Sequence, residues 1–151
     1  MKKAALALAF GGVGYLGFAL ARVRRFRERT RQSASDLPGV SVLKPLHGVE
    51  PELFENLCSF CEQDYPNFEV IFGVHDGSDA AAPIAQSVVA RYPDRTAIVM
   101  GNGSTAAGNP KVANLSRMQG RASQSILVLA DADMRVKREY LREIVARFGD
   151  S

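Results

Sequence analysis

From Gly39 onward, short runs rich in branched and aromatic apolar residues alternate with stretches of helical period, and this alternation constrains the fold more than anything else in the 151 residues. Val40 to Leu43 reads as a strand that ends in Lys44-Pro45 and turns through Leu46-His47-Gly48. The pattern predicts a helix over 51–63, with Pro51 at its first position and Glu52 and Glu55 in its opening turn. Its apolar stripe is Leu53, Phe54, Leu57, Cys58, Phe60 and Cys61. Phe68 to Val74 is a second strand, 83–92 a helix, Thr96 to Met100 a third strand, and 101–108 a loop of small residues. Asn109-Pro110-Lys111 opens another helix, because Asn is a strong N-cap and Pro suits the first helical turn. After a fourth strand, 137–148 closes the chain as a helix with Tyr140, Leu141, Ile144, Val145 and Phe148 on one face. Repeated strand-then-helix order predicts an α/β fold with a parallel sheet.

The fourth strand carries the chemistry. In Ser125 to Val136, SILVLADADMRV, the unbroken run Ile126 to Leu129 reads as a central strand covered on both faces, and it leads straight into Asp131 and Asp133. In open, Rossmann-like sheets the ligand crevice lies outside the carboxyl ends of the strands. Hard cations such as Mg²⁺ or Mn²⁺ take carboxylates together with a substrate's phosphates, so a metal–diphosphate site is one reading of this pair. A solvated acidic turn capping the next helix is the other.

The turn after the second strand, His75-Asp76-Gly77-Ser78-Asp79, is rich in carboxylates. With the loops after strands one, two and four on one sheet edge, Asp76 and Asp79 approach Asp131 and Asp133, and carboxylates so gathered repel unless a cation or ligand donors offset them. Asp76 suits a nucleobase N–H or a ribose hydroxyl, or an Asx turn that closes its own loop. Lys111 falls in a first helical turn, where a cation is unfavourable beside the dipole unless an anion is bound; a diphosphate would supply one, and a solvated surface lysine is the plain alternative. His47 and His75 are too isolated to assign. Gly103 to Gly108 has the glycine spacing of a P-loop, but Asn109-Pro110 stands where Lys-Ser/Thr is required, which argues against an ATPase. Cys58 and Cys61 fall late in a helix, away from the dipole end that activates a thiol, and read as buried packing positions.

Charge divides the chain. Residues 1–31 hold eight basic side chains against Glu28, so the rest is mildly acidic although the whole carries +3. An acidic body argues against a nucleic-acid-binding domain, leaving only an arginine-rich arm that could touch RNA. Ala4 to Ala21 contains no charge and, as a helix, would nearly match a bilayer's hydrocarbon core. Lys2 and Lys3 with Ala19-Leu20-Ala21 resemble a signal peptide, but the arginines from Arg22 to Arg29 favour an uncleaved transmembrane anchor with the body on the cytoplasmic side. The expected organisation is an anchor with its basic flank over 1–31, a linker over 32–38 and a domain over 39–151.

VSVLKPLHGVEPELFENLCSF, QDYPNFEVIFGVHDGSDAA, GNPKVANL and ILVLADADMRV, in that order, resemble family 2 and family 21 glycosyltransferases, specifically the ceramide glucosyltransferase-like group that includes bacterial hopanoid glycosyltransferases. The resemblance runs from Pro38 to Val136. It implies a GT-A fold, a UDP-sugar donor, a divalent cation (Mg²⁺ or Mn²⁺), a lipid hydroxyl as acceptor, and inverting transfer of a hexose-type sugar. It assigns Asp76 and Asp79 to the nucleoside, Lys111, Asn114 and Asp131 to the nucleotide-sugar, and Asp131 with Asp133 to the metal. The family's later catalytic Asp and its Gln/Arg-x-x-Arg-Trp motif have no counterpart, so no base is assignable and the chain reads as the donor-binding half of a longer enzyme. A non-catalytic nucleotide-binding remnant is the alternative.

Overall fold

The computed structural model describes residues 37–103 and 109–148. The expected anchor, its basic flank and most of both the linker and the 101–108 loop lie outside the described residues. No helix among the described residues is long and apolar enough to cross a membrane.

Four strands, β1 (Val40–Leu46), β2 (Phe68–Val74), β3 (Thr96–Met100) and β4 (Ile126–Leu129), form one sheet in the order β3-β2-β1-β4. Every pairing is parallel, so all four strands end on the same edge, as the strand–helix alternation predicts. The helices are α1 (Leu53–Cys61), α2 (Ala82–Arg91), α3 (Pro110–Arg121) and α4 (Tyr140–Val145).

Residues of alternate parity face opposite layers. Val40, Val42, Leu46, Val70, Phe72, Val74 and Val128 enter the main core with Leu57 and Phe60 of α1, Ala85 and Val88 of α2, and Leu141 and Val145 of α4. On the other face Leu43 and Ile71 meet Met118 of α3. Gly73 permits that contact: a Cβ there would lie 2.2 Å from Met118 Sδ and 2.6 Å from Asn114 Oδ1. Asn114 Nδ2 donates to the Gly73 carbonyl at 2.8 Å and pins the helix to β2.

Several expectations shift. β1 continues through Lys44 and Pro45 to Leu46, paired with β2 throughout. Leu43 accepts from Ala130 on the β4 side, so the missing N–H of Pro45 points the same way, beyond the last β1–β4 pair, Leu43 with Leu129. Helix α1 begins at Leu53 rather than Pro51, because Glu52 is left-handed (φ 55°) and interrupts helical geometry. Helix α4 is shorter than 137–148, and Phe148 is exposed instead of joining its apolar face. The largest correction concerns β4: it is an edge strand among the described residues, with Leu127 and Leu129 43% and 53% exposed. Helix α3 lies over β1 and β2 and leaves that face of β4 open. Cys58 and Cys61 are free and buried on α1, where burial raises both thiols, Cys61 to about 12, so neither is poised as a nucleophile.

Candidate functional site

The carboxyl edge of the sheet holds a cavity of about 600 Å³, lined by segments from three crossover turns and the start of α3. Pro45, Leu46, His47 and Glu50 come from the end of β1 and its loop, and His75 follows β2. Asn109 to Lys111 and Asn114 belong to α3, and Asp131 to Asp133 follow β4.

Local sequence sets up the α3 wall. Asn109 is extended, and its Oδ1 accepts from Lys111 N at 3.0 Å and Val112 N at 3.4 Å, while Pro110 has no N–H to satisfy. Ala113 N bonds to the Asn109 carbonyl. The first amides are therefore taken, and what this terminus offers an anion is its dipole and the Lys111 ammonium. Lys111 Nζ bonds to Asp131 Oδ1 at 2.9 Å. Both side chains are more than half exposed, so the pair contributes little to stability and opens at little cost.

The two acidic turns are built differently. Asp131 and Asp133 present exposed residues beside the cavity, and their turn is closed by Met134 N donating to the Asp131 carbonyl. It is held from beneath by two buried side chains. Lys44 Nζ donates to the Asp131 carbonyl at 2.6 Å, and Asn56 Nδ2 reaches the Asp133 carbonyl at 3.4 Å. Burial pulls the Lys44 ammonium down to about 8, against the opposing pull of Asp133 and Asp131.

Asp79 is committed within the protein. Its side chain is 5% exposed, with Oδ1 accepting from Gly48 N and Ala81 N at 2.9 Å each and Oδ2 3.1 Å from His47 Nδ1, so it fastens the β1 loop to the β2 loop. Asp76 accepts from Ser78 N and Oγ, both at Oδ1, in the Asx-turn geometry its sequence allows. Those bonds hold its carboxyl below the ordinary aspartate value. Asp76 Oδ2 lies on the side of Gly103, 3.5 Å from where a Cβ would sit there. Neither Asp76 nor Asp79 lines the cavity that gathers Lys111, Asn114, Asp131 and Asp133.

Sequence reasoning left out His47, His75 and Lys44. The signal for Lys44 was strand parity: in Val40, Val42, Lys44, Leu46 a lysine occupies a core-facing position. His75 Nδ1 and Asn114 Oδ1 are buried without a hydrogen-bond partner, which leaves polar capacity along the cavity wall. As a cation site the edge fits a hard divalent ion only in company. No three His, Cys, Asp or Glu side chains gather among the described residues, so the two carboxylates need further oxygens, as a diphosphate provides.

The family model described as Glycosyl transferase family 21 matches residues 4–151. Ceramide glucosyltransferase 1 of Caenorhabditis elegans is 33% identical over 96 residues, covering 64% of this chain and 21% of that protein. Ceramide glucosyltransferase of Komagataella phaffii is 29% identical over 126 residues, covering 81% and 25%. The chain thus spans about a fifth to a quarter of the length of these relatives. A mannosyltransferase from Pyrobaculum calidifontis, solved with GDP-Man and Mn²⁺, superposes with a TM-score of 0.61 at 23% identity, over 89% of this chain and 41% of that one. Residues 1–349 of TarS from S. aureus, solved with UDP-GlcNAc, give 0.55 at 22% identity, over 74% and 31%. These likenesses establish the fold.

Proposed function

The chain belongs to glycosyl transferase family 21, and from that premise we propose that it is the donor-binding part of a membrane-anchored glycosyltransferase, one that moves a hexose-type sugar from a UDP-sugar to a lipid hydroxyl with inversion. The observation that carries this reading is the meeting of Asp131, Asp133 and Lys111 around one cavity at the carboxyl edge of a parallel sheet. Ceramide glucosyltransferases among the relatives support a lipid acceptor of ceramide-like kind, and neighbours solved with GDP-Man and UDP-GlcNAc support a nucleotide-sugar donor.

In this reading Lys111 leaves Asp131 for the diphosphate, and the dipole of α3 favours the same negative charge. Asn114 and His75 border the bound donor. Asp76 takes the nucleoside through the oxygen that Ser78 does not use, and Asp79 keeps that loop in register through Gly48 and His47. Asp131 and Asp133 would hold Mg²⁺ or Mn²⁺, which supplies Lewis-acid stabilisation of the departing nucleoside diphosphate. The span over 4–21 anchors the domain on the cytoplasmic face, near a lipid acceptor.

Calorimetric titration of the full chain with UDP, with and without Mn²⁺, tests the site. Binding should require Mn²⁺ and fall at least about tenfold in Asp133→Ala, as loss of a ligating carboxylate predicts. Mn²⁺-dependent binding that survives Asp133→Ala unchanged would remove the metal assignment. A binding module without turnover would take up UDP in the same way, and release of labelled sugar from the UDP-sugar to lipid separates the two.

A further inference from the structure

Among the described residues Lys44 is the one charged residue buried over its whole length, at 0% exposure, and stability does not explain it. Taking an ammonium out of water carries a large desolvation penalty. The Phe60 ring, 3.7 Å from Nζ, and the single bond to the Asp131 carbonyl offset that cost without turning it into a clear gain. Methionine has similar length and needs no such compensation, so for folding alone an apolar residue would serve as well. What the lysine adds is a fixed cation directly beneath the turn that bears both exposed carboxylates.

We propose that Lys44 is the positioning residue of the Asp131–Asp133 turn: bonded to the Asp131 carbonyl and backed by Phe60, it fixes the direction in which both carboxylates leave the turn and offsets their mutual repulsion before a ligand arrives. The Asp131 carbonyl is the point where the turn closes, since it also accepts from Met134 N. Asn56, itself 5% exposed, acts in parallel on the Asp133 carbonyl. Strand β1 and helix α1 thus support a turn far away in sequence, and a preformed turn presents its carboxylates without an ordering penalty. The inference rests on reading Asp131 and Asp133 as the donor- and cation-binding pair.

The test compares wild type, Lys44→Met and Lys44→Arg in the full chain. Without ligand, amide exchange at Met134 should quicken roughly tenfold in Lys44→Met while the strands exchange as in wild type. With UDP present, Mn²⁺ affinity, read from the electron paramagnetic resonance signal of free Mn²⁺, should fall roughly 10–100-fold in Lys44→Met, the loss typical for a residue that orients a metal ligand. Lys44→Arg should recover most of it. Thermal stability of Lys44→Met should stay equal or rise, which a packing role would not produce. Unchanged exchange with unchanged Mn²⁺ affinity overturns the proposal, and so does tighter Mn²⁺ binding, which would mean that the buried charge only repels the ion. If wild type itself fails to bind Mn²⁺ with UDP, the reading of the site has failed, and the exchange measurement alone decides whether Lys44 holds the turn. Should Lys44→Met not fold, Phe60→Leu replaces it, with Mn²⁺ affinity expected to fall several-fold and an unchanged value overturning the proposal.

Discussion

Replacing Gly73 by alanine probes how closely α3 must sit on the sheet. The added Cβ would meet Met118 Sδ at 2.2 Å, Asn114 Oδ1 at 2.6 Å and Met118 Cγ at 2.7 Å, all far inside normal contact. Met118 is fully buried, so relieving the contact requires its side chain to repack or the helix to lift. Overpacking of this kind costs about 1–3 kcal/mol, and weakening the bond from Asn114 to the Gly73 carbonyl adds about 1 kcal/mol. Alanine's smaller unfolded-state entropy returns about 0.4–1 kcal/mol, leaving a net loss of about 1–3.5 kcal/mol. Met118→Ala alone should cost about 2–5 kcal/mol by leaving a cavity. The double variant should cost less than the two together by about 1 kcal/mol, because the new methyl fills part of that space. Urea denaturation of the four proteins reads these values. A Gly73→Ala loss below about 0.5 kcal/mol, or additivity within the same margin, refutes the steric argument.

Two further outcomes follow from carboxylates that the fold has captured. Asp79→Ala leaves the amides of Gly48 and Ala81 without their acceptor and should cost about 2–3 kcal/mol in urea denaturation, with Asp79→Asn intermediate because one acceptor oxygen remains; equal stability of all three would show that the loops hold without it. For Glu69, burial alone would raise the carboxyl, but the bonds from the Ser41 hydroxyl and the Ser123 amide and hydroxyl outweigh it and leave the group below its ordinary 4.5. Its stabilisation is therefore present above pH 4.5 and fades as pH falls toward the lower folded-state value, so Glu69→Gln should flatten the melting temperature's decline below pH 4.5.

What the sequence by itself determined is what neighbours along the chain can settle. β-Branched runs between helical stripes set the order of strands and helices and hence a parallel sheet, Asn109 with Pro110 set the start of α3, and Asp131 and Asp133 were legible as the residues beyond a strand's end. Each depends on periodicity or capping within a few residues. Tertiary structure decided the rest. It put β4 beside β1 at the edge among the described residues, and it seated α3 over β1 and β2, where Met118 packs against Gly73. It turned Asp79 toward Gly48, 31 residues away, and Lys44 toward Asp131, 87 residues away. No local pattern encodes such a partner: a carboxylate in a turn or a lysine in a strand acquires its role only when packing excludes water from it and leaves one donor or acceptor within reach.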